Sequence, residues 1–346
     1  MLLNGITSLT TISNTHTFTT RSLVYWVALA AAAGGCEVVK TSTIEQEGIN
    51  LQGINLQGIN LQGMNLQGFR LSGATLSGST LNNVRVERGE VVAELGTATL
   101  RGTSLTGAHF FAEVQDPAAS PPATGLVEFQ ITAINPELSQ YDPTRTGNTF
   151  LYTLAQWVDA TGTWQPACPA DADGRHVAIP LAATWNEHGD RLEPGSLFTF
   201  GCTTGVIAKC YRWGYRPWVT GYGDLTTMHW TCTRLARADY CGNGVPHTHD
   251  GTSVNVWDTL PSPGPIQRHG LLTPLGMTFE AGWNTGGAVC LSRARWLLDD
   301  GALLAALCPD RLIPPGLLGE TVCNTVSDVL GVDSNARMFN ESYLNL

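Results

Sequence analysis

The residues with chemistry to offer lie close together in the second half of the chain. Arg237-Ala-Asp-Tyr-Cys-Gly242 is followed by Val245-Pro-His-Thr-His-Asp-Gly-Thr. Asp239, His247, His249 and Asp250 put imidazoles beside carboxylates, the pairing that runs general acid–base chemistry near neutral pH. His247-x-His249 offers two metal ligands, with Asp250 or His229 as a third. No His-Glu-x-x-His motif supports a metal, and bare spacing is weak, so neither a metal nor another cofactor is expected. No Gly-x-Ser-x-Gly elbow is present, and no Gly-rich phosphate loop follows a strand. A cysteine nucleophile needs a free thiolate, which paired cysteines lack. The carboxylate pairs Glu187 with Asp190 and Asp239 with Asp250 suit glycan hydrolysis only at the right separation, which sequence does not give. The competing reading is structural: Asp239 bridges Arg237 or caps a loop, Tyr240 is a buried ring whose hydroxyl needs a partner, and Cys241 is half of a disulfide. That reading, a helix end stapled to a loop, is the one favoured.

Tyr211-Arg-Trp-Gly-Tyr-Arg-Pro-Trp218 gathers four aromatics and two arginines. Such a run stacks sugars, or it forms core with arginines packed on ring faces. Alternation with Lys209, Cys210 and Arg212 favours core. Trp164, Trp185, Trp213, Trp218, Trp230, Trp257, Trp283 and Trp296 point to a large aromatic core in the same domain.

Nine cysteines say where the chain lives. Cys36 stands apart. Arg21, an apolar run from Leu23 and small residues ending Ala33-Gly34-Gly35 precede it, the layout of a signal segment. Ala33-Gly34-Gly35-Cys36 resembles a bacterial lipobox, in which the thiol accepts a diacylglyceryl group. The segment before Gly35 is shorter than the about 20 residues a membrane span needs. The polar, Thr-rich residues before Arg21 are atypical of a signal n-region and suggest a start codon downstream of Met1. Lipidation at Cys36 is therefore expected, with the membrane as partner through that anchor. It leaves Cys168, Cys202, Cys210, Cys232, Cys241, Cys290, Cys308 and Cys323, an even set that suggests up to four disulfides in an exported chain. Cys308 with Cys323 is the expected local pair, closing a loop that holds Pro309, Pro314, Pro315 and Gly316. No Cys-x-x-Cys pair argues for zinc.

A repeat of five residues occupies the N-terminal third. Ile49-Asn-Leu-Gln-Gly53 recurs at Ile54, Ile59 and Met64, and more loosely at Phe69, Ala74 and Ser79. Five fits neither a helix nor a strand period, so each block must turn. Gly53 and its equivalents permit the corner. The pattern resembles the pentapeptide-repeat family, which implies a quadrilateral β-coil centred on Leu51, Leu56, Leu61, Leu66, Leu71, Leu76 and Leu81. About two coils result, too few to stand alone. Residues 49–83 hold no Asp or Glu and only Arg70 is charged, which excludes an acidic DNA mimic. The formal net charge of −10 argues against nucleic-acid binding at large.

Strand patterns cover 90–95, 108–114, 125–134, 149–158, 177–185 and 196–202. Helices are expected from Gly205 to Trp213, capped by Thr203 or Thr204, from Leu225 to Tyr240, ending at Gly242, and from Arg293 to Leu307. The fold class that follows is α+β, a disulfide-stabilised mixed domain preceded by a short pentapeptide-like β-coil, with strands mostly early and helices mostly late. The expected domains are 1–35 signal segment, 36–43 tether, 44–89 repeat and 90–346 main domain.

Ala238-Asp239-Tyr240-Cys241, with Ala208-Lys-Cys-Tyr-Arg-Trp-Gly-Tyr-Arg-Pro-Trp218 upstream and Pro246-His-Thr-His downstream, resembles the ADYC domain over roughly 145–340. His249 stands where the family pattern often has a basic residue of another kind. The resemblance implies an exported bacterial protein and no particular reaction. Function is then expected to be that of an envelope lipoprotein, periplasmic or surface-exposed, that binds a glycan or protein partner without catalysis. The alternative is a cell-wall or glycan hydrolase using Asp239, His247 and Asp250.

Overall fold

The computed structural model describes residues 43–46, 68, 70–116, 123–137, 149–159, 161–186, 188–193, 195–249, 251–261, 263–296, 308 and 323–344. Cys36 and the signal segment lie outside these residues, as do the repeat blocks from Ile49 to Gly63, Glu187 and Asp250.

The architecture is mixed α+β. An eight-stranded sheet collects β2 (Arg70–Leu76), β3 (Ser79–Thr80), β7 (His109–Asp116), β8 (Ala123–Pro136), β9 (Phe150–Val158), β10 (Thr163–Pro166), β11 (Val177–Leu181) and β14 (Thr199–Cys202). A three-stranded sheet of β4 (Asn82–Glu87), β5 (Glu90–Leu95) and β6 (Ala98–Arg101) packs on its inner face. Val91, Ala93, Leu81 and Leu105 meet Phe110, Phe129, Leu154 and Phe200 there in one core. The Val91 amide donates to the Tyr152 hydroxyl at 2.9 Å, so the polar tip of that buried ring has a partner.

A five-stranded sheet is built from both ends of the chain. Its order is β1 (Thr43–Gln46), β15 (Thr252–Asp258), β18 (Met338–Tyr343), β16 (Met277–Asn284) and β17 (Gly287–Leu291). Alternation splits its residues between two faces. Val254, Val256, Trp283 and Met338 face the helices α1 (Val206–Arg212) and α2 (Leu225–Arg237). Trp257, Cys290 and Phe339 face α3 (Val326–Val332). A short pair, β12 (Thr184–Trp185) and β13 (Arg191–Leu192), completes the described strands.

Helix ends have local causes. Asp224 caps α2 by accepting from the Thr227 amide at 3.0 Å. Thr325 and Asp328 form a reciprocal capping box on α3. The expected threonine cap of α1 is corrected: Gly205 is the N-cap and makes no side-chain bond. Thr203 instead donates to the Val177 carbonyl, tying the strand β14 to β11.

Four disulfides join Cys168 to Cys202, Cys210 to Cys232, Cys241 to Cys308 and Cys290 to Cys323. All eight expected cysteines are paired, but the local pair Cys308–Cys323 is not formed. Cys323 lies under α3 with Cys290 in the third core cluster, whereas Cys308 joins the first beside Cys241. Burial in two separate cores decided the partners, and proximity in sequence did not.

Two further helix boundaries are corrected. Helix α2 ends at Arg237, before Tyr240. Residues 293–296 are not helical, and 297–307 lie outside the described residues. Strands do fall mostly early, with β1 to β14 before α1, and β15 to β18 follow α2. The last repeat blocks run extended through Gly73 in β2, which pairs antiparallel with β7 from Arg70↔Glu113 to Thr75↔His109. A coil would leave a bare sheet edge, and the β7 edge satisfies those backbone groups instead. Leu81 is buried, and Leu71 and Leu76 pack against the same core, so the leucine spacing is used inside a sheet.

Candidate functional site

The segment 234–249 forms a knot at the C-terminal end of α2. Arg234 and Arg237 sit in the last turn, where cations suit the helix dipole. The chain leaves the helix through Ala238, which is left-handed at φ 49°. Asp239 comes next and is fully buried. Its Oδ2 accepts from Arg234 at 2.5 Å and from the Gly244 amide at 3.0 Å, and its Oδ1 accepts from the Asn243 amide at 3.1 Å. Both expected alternatives for Asp239 are thereby resolved: it caps the following loop, and its ion-pair partner is Arg234 instead of Arg237. Arg234 also donates to Asp190 at 2.5 Å and to the carbonyls of His188 and Thr285. Arg237 is buried, which lowers its guanidinium to about 10, and it donates to the Gly244 carbonyl.

Tyr240 is fully buried and stacks on Trp283 with centroids 5.3 Å apart. Its hydroxyl donates to Glu280 Oε1 at 3.0 Å and accepts from the Arg295 amide at 2.8 Å. Burial, and then the negative charge of Glu280, push the phenol well above its usual range, so it stays a donor. Arg295 pairs with Glu280 at 2.9 Å with both side chains shielded from solvent. The same guanidinium donates to the carbonyls of Leu235 at 3.0 Å and Ala236 at 3.3 Å, two of the last carbonyls of α2. Cys241 then closes the knot through Cys308.

The two histidines diverge although they stand only two residues apart. His247 is buried with its ring 5.7 Å from that of Tyr240. His249 is exposed and stands edge-on to Trp296 at 4.2 Å. His229 lies in the core, stacked on Tyr211 at 3.9 Å, with Nε2 2.9 Å from the Ile207 carbonyl. Burial holds its imidazole down to about 3, so it is neutral. No three His, Cys, Asp or Glu side chains gather as metal ligands among the described residues. Asp239 is fully buried and His247 is buried, and Asp250 lies outside the described residues.

The aromatic run is core, as its alternation with Lys209 and Cys210 implied. Tyr211 and Tyr215 are buried, Trp213 and Trp218 pack against them, and Arg212 pairs with Glu137 at 2.9 Å. Trp164 departs from the expected aromatic core, being 36% exposed on the edge strand β10. Sequence reasoning missed Arg234, Glu280 and Arg295, which hold the knot together. The only signal for Arg234 was a basic residue in a last helical turn.

A family model of the ADYC domain matches residues 102–297, and one of pentapeptide repeats matches residues 48–88 in eight copies. No curated protein and no solved structure matches the chain.

Proposed function

We propose, for a chain that belongs to the ADYC domain family, the role of a non-catalytic envelope lipoprotein that binds a glycan or protein partner. The observation that carries this reading is how Asp239 and Tyr240 are used. Both are fully buried, and their polar atoms bond to Arg234, Glu280, Arg295 and the 243–244 amides. A general acid or base must reach the proton it moves, and Asp239 is spent on the helix end. The competing hydrolase reading, with Asp239, His247 and Asp250, needs that carboxylate at a cleft. Four disulfides fit an oxidising, extracytoplasmic compartment. Among the described residues no helix is long and apolar enough to cross a membrane. In the proposed role a lipid on Cys36 supplies the attachment.

Palmitate labelling of cells making the full chain tests the anchor. Label on the wild type and none on Cys36→Ala is expected, and label on the variant refutes it. Incubation of the purified chain with peptidoglycan tests catalysis. No release of soluble fragments is expected; release that disappears in His247→Ala would restore the hydrolase.

A further inference from the structure

The outer face of the eight-stranded sheet carries aromatics that the core does not use. Phe110, Phe129 and Leu154 point inward, so alternation turns His109, Phe111, Glu128 and Trp157 outward. Phe111 pairs with Glu128 across β7 and β8. Trp157 pairs with Trp164 across β9 and β10. Glu128 lies one register step beyond the Phe129–Gln156 pair, beside Trp157. Phe111, Glu128, Trp157 and Trp164 therefore share one register row whose four strand backbones span about 14 Å at the usual strand spacing, with the Trp164 ring leaning back along it toward His109.

The rings in this row are held in place. Trp164 stands edge-on to Trp157 with centroids 5.6 Å apart and planes at 66°, and edge-on to His109 at 5.5 Å and 78°. Trp157 Nε1 donates to Asp159 Oδ1 at 2.8 Å. His109 Nδ1 lies 2.8 Å from Glu128 Oε1. Trp164 and Phe111 are nonetheless 36% and 39% exposed. Fixed, exposed rings give up rotamer freedom without burying their faces. A carboxylate accepts at about four lone-pair positions, so Glu128 and Asp159 each retain acceptor capacity beside a ring.

We propose that this row is a carbohydrate-binding platform for neutral oligosaccharides. The apolar C–H faces of successive sugar rings lie on Trp164, Trp157 and Phe111, and their hydroxyls donate to Glu128 and Asp159. The two carboxylates disfavour anionic glycans by like-charge repulsion. The open row, spread over four strands, suits an extended chain better than a compact cation, which prefers enclosure by ring faces. Preset rings lower the ordering cost of binding. This site deepens the envelope-binding role proposed above and rests on it.

Titration calorimetry of the full chain with cellohexaose, chitohexaose, oligogalacturonate and a hexalysine peptide tests the platform. At least one neutral hexasaccharide is expected to bind, with affinity lowered about tenfold or more by Trp164→Ala and by Trp157→Ala, and less by Trp164→Phe. Melting of Trp164→Ala should match wild type, because the residue is on an exposed edge strand. Should that variant melt early, Glu128→Gln is the second probe, and it must also weaken binding. Binding of neither neutral sugar, binding indifferent to all these changes, or binding of hexalysine or oligogalacturonate alone overturns the site. Such a failure with palmitate labelling of Cys36 intact removes the platform and leaves the lipoprotein reading standing.

Discussion

Glu280, Arg295 and Tyr240 form a buried charged cluster whose members depend on one another. Two opposite charges lie in a water-free core, held by one another, by a phenol and by the end of a helix. A buried pair is weak evidence of net stability, but removing one member leaves an uncompensated charge, which costs about 3–5 kcal/mol. Glu280→Gln is therefore expected to lose about that much in urea denaturation, and Glu280→Leu with Arg295→Met should recover part of it. Tyr240→Phe removes a donor to Glu280 and an acceptor for the Arg295 amide, an expected loss of about 1–3 kcal/mol by the same measurement. The pair also sets a pH dependence. Burial alone would raise the Glu280 carboxyl, but the Arg295 charge and hydrogen bonds, with help from Ser342 and Arg293, outweigh it and lower the carboxyl below its usual value. A depressed carboxylate gives stability that is present above its unfolded value, about 4.3, and lost as pH falls through the lower folded one. Acid titration of the fold should steepen below that value in the wild type and be flatter in the Glu280→Leu/Arg295→Met variant.

At the level of elements, the end of α2 is fixed by close contact. The 238–242 segment passes over the β16–β17 turn, where the Ala288 amide donates to the Tyr240 carbonyl at 3.0 Å. Gly242 has φ +67°, and a side chain there would collide with the Gly286 carbonyl. Gly287 has φ +112°, and a Cβ would lie 2.6 Å from the Tyr240 oxygen. Alanine at either site should force the knot apart, and the melting point should fall further than for a surface Gly→Ala change. Ala238 is the opposite case. Relief of its left-handed strain by Gly, about 1–2 kcal/mol, is offset by loss of a buried methyl worth about 0.8 kcal/mol. Melting of Ala238→Gly is expected close to wild type. This is also why the helix end was misread: the cap is an alanine, and glycine at 242 was the visible stop signal. The strand β5, at 90–95, was legible because Glu90-Val-Val-Ala-Glu-Leu has β-branched residues bounded by glycines. The expected helix start at Arg293 was misread because Arg295 has helical propensity but is claimed by Glu280 across the core.

The whole molecule is stitched across long sequence distances. The five-stranded sheet joins residues 43–46 to 338–343 through β15, and the four disulfides close loops between sequence separations of 22 and 67 residues. Cys210–Cys232 ties α1 to α2 inside the main core, so replacing both by alanine should cost about 2–5 kcal/mol, read as a lower melting point. Thiol labelling of the denatured, unreduced chain should leave all eight of these cysteines unmodified, and any labelled one contradicts the pairing. By itself the sequence determined the even set of cysteines, the early strands, the buried aromatic run at 211–218 and the leucine spacing that reaches the core at Leu81. Those follow from composition, alternation and local propensity, which act over a few residues. The tertiary structure decided which cysteines pair, that the last repeats join a sheet, that Asp239 serves Arg234, and that Trp164 stands outside the core. Each of these depends on which surfaces meet after folding, and burial and charge pairing act on neighbours in space whatever their distance along the chain.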